Sequence, residues 1–156
     1  IGVARAELLE LVATVLAERD CEGFIFRGDD GLDEISLSTT STVYQINKGE
    51  ISKEIFDPSE LGLERIGIDE LRGGTPSENA DITRAIFAGK GGPYRQAVLL
   101  NAAVAIAAFK ADFHLGITQQ FANGYTLAKQ AVDSGAAAQL VERWANLSTE
   151  LAKSSL

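Results

Sequence analysis

The sequence predicts an α/β unit, and three observations carry that prediction: an amphipathic helix leading into a short, strongly apolar run, a β-branched hairpin, and a second half whose apolar spacing is helical throughout. Ala4 to Arg19 places Leu8, Leu9, Leu11, Val12, Val15 and Leu16 at helical spacing, with Glu7 near the start and Arg19 near the end, where each favours the helix dipole. Gly23-Phe24-Ile25-Phe26 is the pattern of a buried strand and runs into the polar loop Arg27-Gly28-Asp29-Asp30-Gly31. Thr42 to Ile46 and Glu50 to Phe56 are alternating and β-branched-rich, and Asn47-Lys48-Gly49 between them supplies the positive-φ glycine of a short hairpin. They are expected to pair antiparallel. Asp57 to Gly62 reads as a turn or loop, and Ile66 to Leu71 as a short extended piece.

Beyond Gly73-Gly74 the chain turns helical. Thr75-Pro76-Ser77-Glu78 is a capping box with proline at the first helical position, and Ala80 to Phe87 continues that helix until Gly89. Gly91-Gly92 separates it from an apolar helix that Pro93 opens and that runs to about Ala111. Thr118 to Ser134 and Gly135 to Leu151 form two more, divided at Asp133-Ser134-Gly135. With no internal repeat, one α/β unit fits better than two domains.

A chain of 156 residues is long enough to bury a real core. Its formal charge of −8, with 14 Lys and Arg scattered among 22 carboxylates, argues against nucleic acid as a partner, because phosphate backbones are held by clustered cations. The longest apolar run, Ala97 to Phe109, is interrupted by Asn101 and falls short of the roughly 20 residues a spanning helix needs, so it is expected in the core and not in a membrane. The single cysteine, Cys21, cannot form an intrachain disulfide and is expected as a partly buried small residue; with no signal-like start, the chain fits a reducing cytoplasm. It contains no methionine and begins Ile1-Gly2-Val3, which is expected of a piece of something longer.

Four carboxylates, Asp29, Asp30, Asp33 and Glu34, fall within six residues directly after the expected strand, with Gly31 between the pairs. In open α/β sheets ligands bind beyond the carboxyl ends of strands. Mg²⁺ commonly takes one or two protein carboxylates and completes its octahedron with waters and phosphate oxygens, so Asp33 and Glu34 suffice in number; a solvated acidic loop is the competing reading. The spacing is not that of a calcium hand. Gly73-Gly74 could present amides to a phosphate but reads first as a tight turn delivering the chain to a helix, and Gly89-Lys90-Gly91-Gly92-Pro93 reads as an inter-helix loop with Lys90 exposed. Asn101, polar within an apolar helix, is expected to tie that helix to a neighbouring loop. His114 reads as a surface residue with no paired nucleophile, and Trp144 with Leu140, Val141 and Leu147 as core or interface packing.

The order and spacing of Gly28-Asp29-Asp30-Gly31-Leu32-Asp33-Glu34, Thr39 to Thr42, Gly73-Gly74 with Asn79-Ala80, and Arg95 with Val98-Leu99-Leu100-Asn101-Ala102-Ala103 resemble anthranilate phosphoribosyltransferases over nearly the whole chain. Members of that family transfer phosphoribosyl from phosphoribosyl pyrophosphate to the amine of anthranilate in tryptophan biosynthesis. The resemblance implies an incomplete α/β/α domain of the nucleoside phosphorylase/phosphoribosyltransferase type, with residues 1–156 as its C-terminal part. The N-terminal helical domain and the glycine-rich phosphate loop have no counterpart in these residues. The resemblance also implies Mg²⁺ held at Asp33 and Glu34, a homodimer, and no activity for this stretch alone. It names no catalytic residue and no anthranilate contact here. Arg27 departs from the pattern, standing where many members have histidine. A pyrimidine nucleoside phosphorylase-like fragment and a non-catalytic scaffold are the alternatives.

Overall fold

The computed structural model of the chain describes residues 1–154. Three strands, β1 (Gly23–Gly28), β2 (Ser41–Asn47) and β3 (Glu50–Phe56), form one sheet in the order β1-β2-β3, with both pairings antiparallel. The β2–β3 turn is tighter than glycine alone requires: Lys48 at φ 51° and Gly49 at φ 81° are both left-handed, the two-residue arrangement whose twist matches that of paired strands.

The first helix, α1 (Leu9–Ala17), is shorter than the expected Ala4 to Arg19, and only a 3₁₀ turn at Ala6–Leu8 precedes it. The reason lies in the sheet. Val3 N–H donates to the Phe26 carbonyl at 2.9 Å and Phe26 N–H to the Ile1 carbonyl at 3.0 Å, a parallel bridge beside β1, and Arg5 is still extended. At the other end Asp20, at φ 54°, stops the helix and leaves Cys21 exposed, not partly buried as expected.

Alternation along the strands builds a layered core. Phe24, Val43 and Phe56 face one side with Leu100, Val104, Phe113 and Phe121, while Ile25, Tyr44 and Ile46 face α1 with Leu9 and Ala13. On the first side Phe24 makes edge-to-face contacts with Phe113 and Phe121, at centroid separations of 5.7 and 5.2 Å. That side is covered by α3 (Pro93–Lys110) and α4 (Ile117–Asp133). These two helices pack closely because residue 124 is glycine: a Cβ there would sit 2.2 Å from the Ala103 carbonyl oxygen.

The segment between sheet and helices is curled. Asp57 caps a 3₁₀ turn at Pro58–Leu61, its carboxylate accepting from Ser59 N–H at 2.9 Å. The expected extended piece at Ile66 to Leu71 is overturned over most of its length: Ile66 N–H does donate to the Leu37 carbonyl, but Ile68–Leu71 is a 3₁₀ turn because the Glu70 carboxylate accepts the Gly67 N–H at 3.1 Å and bends the chain back. The capping box at Thr75 and Glu78 opens α2 (Pro76–Phe87) as expected. Ile86 of α2 packs with Leu99, Ala128 and Val132, and beside them the buried Arg95 donates to the Ile86 carbonyl at 3.2 Å and pairs with Asp133.

The last helix, α5 (Ala136–Ser154), buries none of its residues. The stripe of Leu140, Val141, Trp144 and Leu147 is therefore not core, because no described element packs over it, and Trp144 is 71% exposed. None of the described helices is long and apolar enough to cross a membrane.

Candidate functional site

Where β1 ends at Gly28 the chain enters a compact loop that returns to β2. Gly28 N–H donates to the Leu32 carbonyl at 2.9 Å, Gly31 N–H to the Gly28 carbonyl at 3.0 Å, and Asp29 N–H to the Thr40 carbonyl at 3.0 Å. Glycine at 28 is a packing requirement: a Cβ there would lie 2.5 Å from Asp30 Oδ1 and 3.1 Å from Ser36 Cβ.

Within this loop the four acidic residues divide into two kinds. Asp29 accepts from Thr40 Oγ1 at 2.5 Å and Thr42 Oγ1 at 3.1 Å. Asp30 accepts from Leu32 N–H through Oδ1 at 3.1 Å and from Ser36 Oγ and Ser38 Oγ through Oδ2, each at 2.5 Å. Burial pushes the Asp30 carboxyl up, but the hydrogen bonds from Ser36, Ser38 and Leu32 outweigh it and hold the group below the usual carboxylate range. Asp33 and Glu34 are exposed, as Asp29 is, but by contrast neither side chain makes a hydrogen bond or ion pair among the described residues. Partial burial, and then the neighbouring charge of Asp33, raise the Glu34 carboxyl above its ordinary value.

The far side of the loop is held by α3. Asn101 Oδ1 accepts the Ile35 N–H at 2.8 Å, and Asn101 Nδ2 donates to the carbonyls of Ile35 and Ala97, both at 3.1 Å. The expected tie between helix and loop is thus present, and it grips the residue next to Glu34. Beside that grip opens a cavity of about 570 Å³, whose lining includes Glu34, Ile35, Asn79, Tyr94, Val98 and Asn101.

Two adjacent carboxylates, one raised by the charge of the other and both without a partner among the described residues, are a donor set that could take a cation. No group of three or more His, Cys, Asp or Glu side chains able to hold a metal occurs among the described residues. A closed, all-protein metal cage is not what this loop offers. The pair fits instead an ion such as Mg²⁺, which takes few protein ligands and leaves positions for water and phosphate oxygens.

The remaining candidates resolve as architecture. Asn79 clasps Gly74, accepting its N–H at 2.9 Å and donating to its carbonyl at 3.1 Å, so Gly73-Gly74 is the turn into α2. Lys90 and His114 are both exposed. Arg27, at the unusual position, donates through Nε to the Ala4 carbonyl at 3.2 Å and through Nη1 to the Gly28 carbonyl at 3.0 Å, so it braces the base of the loop. What sequence reasoning missed is the clasp of Asp30 on Ser36 and Ser38; the signal for it was the cluster of hydroxyls at Ser36 and from Ser38 to Thr42, just after the acidic residues.

The chain is similar to known proteins over nearly its whole length. The chain is 47% identical over 154 residues to an anthranilate phosphoribosyltransferase of Rhodococcus jostii (strain RHA1), covering 99% of this chain and 42% of that protein. It is 46% identical over 160 residues to the enzyme of the same name from Thermomicrobium roseum, covering 44% of it. The chain thus spans less than half the length of these relatives. Among solved structures, the anthranilate phosphoribosyltransferase of Thermus thermophilus superposes with a TM-score of 0.77 at 31% identity, covering 92% of this chain and 40% of that one. The Saccharomyces cerevisiae enzyme in complex with PRPP and Mg gives a TM-score of 0.78 at 28% identity, covering 90% and 40%. The α/β architecture implied by the resemblance is the one observed. With residues 1–138 matching its profile, the chain belongs to the glycosyl transferase family, a/b domain.

Proposed function

We propose that residues 1–156 form the C-terminal part of the α/β domain of a magnesium-dependent anthranilate phosphoribosyltransferase. In this reading the protein moves phosphoribosyl from phosphoribosyl pyrophosphate to the amine of anthranilate, in tryptophan biosynthesis, and Asp33 and Glu34 hold the Mg²⁺. The observation that carries the reading is the unpartnered, mutually repelling Asp33-Glu34 pair at the carboxyl end of β1. It stands in a chain whose relatives bear that enzyme's name, one of them solved with PRPP and Mg.

The chemistry matches the residues. As pyrophosphate leaves the anomeric carbon, negative charge builds on its oxygens while the ribosyl carbon becomes cationic. What a bound ion supplies is neutralisation of that leaving-group charge. The carboxylates of Asp33 and Glu34 would supply the charge that holds the ion, and the hydrogen bonds of Asp30 and Asn101 hold the loop on which they stand. The amine of anthranilate is already a nucleophile, so positioning carries the reaction and no general base is required of this stretch. The glycine-rich phosphate loop and the anthranilate contacts have no counterpart among these residues, so the stretch by itself is inactive. The working protein is a homodimer in the cytoplasm.

The test is anthranilate consumption with phosphoribosyl pyrophosphate by the product of the complete open reading frame that encodes these residues. We expect turnover that requires Mg²⁺, and in Asp33→Asn with Glu34→Gln a loss of about 10²-fold or more, as when charge stabilisation is removed from a transition state. Folding stability should change by no more than about 0.5 kcal/mol, since both carboxylates are exposed. Magnesium-dependent turnover that survives the double substitution would overturn the metal assignment.

A further inference from the structure

We infer that Asp30 is a positioning residue for this cation site: its carboxylate bridges the two flanks of the Asp33-Glu34 apex and so fixes where those two side chains present their oxygens. The inference rests on the reading of Asp33 and Glu34 as metal ligands.

The bridge is visible residue by residue. Oδ1 of Asp30 accepts from the N–H of Leu32, immediately before the pair, at 3.1 Å. Oδ2 accepts from the hydroxyls of Ser36 and Ser38, just after the pair, at 2.5 Å each. One side chain therefore closes the loop on which Asp33 and Glu34 stand, while the side chains of those two make no hydrogen bond or ion pair among the described residues. Asn101 holds Ile35 from the opposite side, so the apex is fixed from below and from α3.

Two hydroxyls converging on Oδ2 favour a carboxylate over its amide at position 30. Ser36 Oγ already accepts the N–H groups of Ser38 at 2.8 Å and Thr39 at 3.1 Å. Its lone pairs are committed to those amides, so its one proton is donated, to Asp30 Oδ2 at 2.5 Å, with Ser38 Oγ at 3.1 Å the other oxygen in reach. An asparagine at position 30 would keep the shape and the bond to Leu32 but could aim N–H groups at hydroxyl protons. Oδ2 is likewise saturated by its two donors, which distinguishes Asp30 from Asp33 and Glu34 as a ligand. Outer residues that orient ligands commonly control metal affinity by tenfold or more, because a site held ready pays less to assemble.

The experiment is a Mn²⁺ titration of this chain, followed by water-proton relaxation, for wild type, Asp30→Asn, Ser38→Ala and Asp33→Asn, each confirmed folded by circular dichroism. We expect a single Mn²⁺ site in wild type and its loss in Asp33→Asn. Asp30→Asn should weaken it about tenfold, and Ser38→Ala severalfold, although Ser38→Ala removes no charge. Unchanged affinity in Asp30→Asn overturns the proposal. So does a normal Ser38→Ala with an Asp30→Asn effect that vanishes at about 1 M salt, where charges act over only about 3 Å, since Asp30 would then act through its charge alone. A wild type without a Mn²⁺ site, or an Asp33→Asn that keeps it, overturns the metal reading itself, a result distinct from an intact site indifferent to Asp30. If Asp30→Asn does not fold, Ser38→Ala decides.

Discussion

Asp29-Asp30 and Asp33-Glu34 are two acidic pairs in one short loop, and the fold treats them in opposite ways. The first pair is met by Thr40, Thr42, Ser36, Ser38 and a backbone N–H, so its oxygens are occupied by donors of the protein itself. The second is met by nothing among the described residues, and Glu34 is held above its ordinary value by partial burial and by Asp33. A satisfied carboxylate is scaffold; an unsatisfied pair is a charge kept available. Composition cannot make that distinction, because all four residues have the same chemistry and nearly the same address. The partners decide it.

The comparison can be broken at either pair or at the support they share. The largest effect is that on turnover in the Asp33→Asn, Glu34→Gln protein, with a fold that remains intact. Next comes Asn101→Leu, which strands the N–H and carbonyl of Ile35. It should cost about 1–3 kcal/mol in denaturant unfolding, the usual penalty for buried groups left unpaired. An unchanged midpoint would mean that the loop does not depend on α3.

The smallest effect has the opposite sign. Because the folded-state pKa of Glu34 is raised, the folded protein binds that proton more tightly than the unfolded chain does. The ionised group therefore costs stability at neutral pH, and the cost disappears as pH falls through its raised value. Solvent screens a group this exposed, so Glu34→Gln should stabilise the metal-free chain at pH 7 by only about a few tenths of a kcal/mol. The gain should vanish once the pH is below the ordinary carboxyl value, where Glu34 is protonated in both states. Chemical unfolding at two pH values checks this. A destabilised Glu34→Gln would show that Glu34 has a partner after all.

Much of this was legible in the chain itself. The hairpin, the Thr75-Glu78 cap, the three last helices and the acidic pair all rest on neighbours in sequence, where spacing and turn chemistry speak directly. What failed were places where a distant group intervenes. The parallel bridge from Ile1 and Val3 to Phe26 takes the first residues out of α1, and the Glu70 carboxylate curls a stretch that reads as extended. The pairing of Arg95 with Asp133, on the neighbouring helix, leaves no local trace. At Trp144 the periodicity is sound and the amphipathic helix forms, but periodicity does not say what covers its apolar face.

The most direct test of the central claim is where a paramagnetic cation settles. In amide NMR spectra of the chain titrated with Mn²⁺, the account predicts that broadening begins at Leu32 to Ile35 and spreads outward from there, sparing the equally acidic Asp57 to Glu60 turn. Broadening that begins at that turn, or at Asp29 and Asp30 with Asp33 and Glu34 untouched, would contradict it.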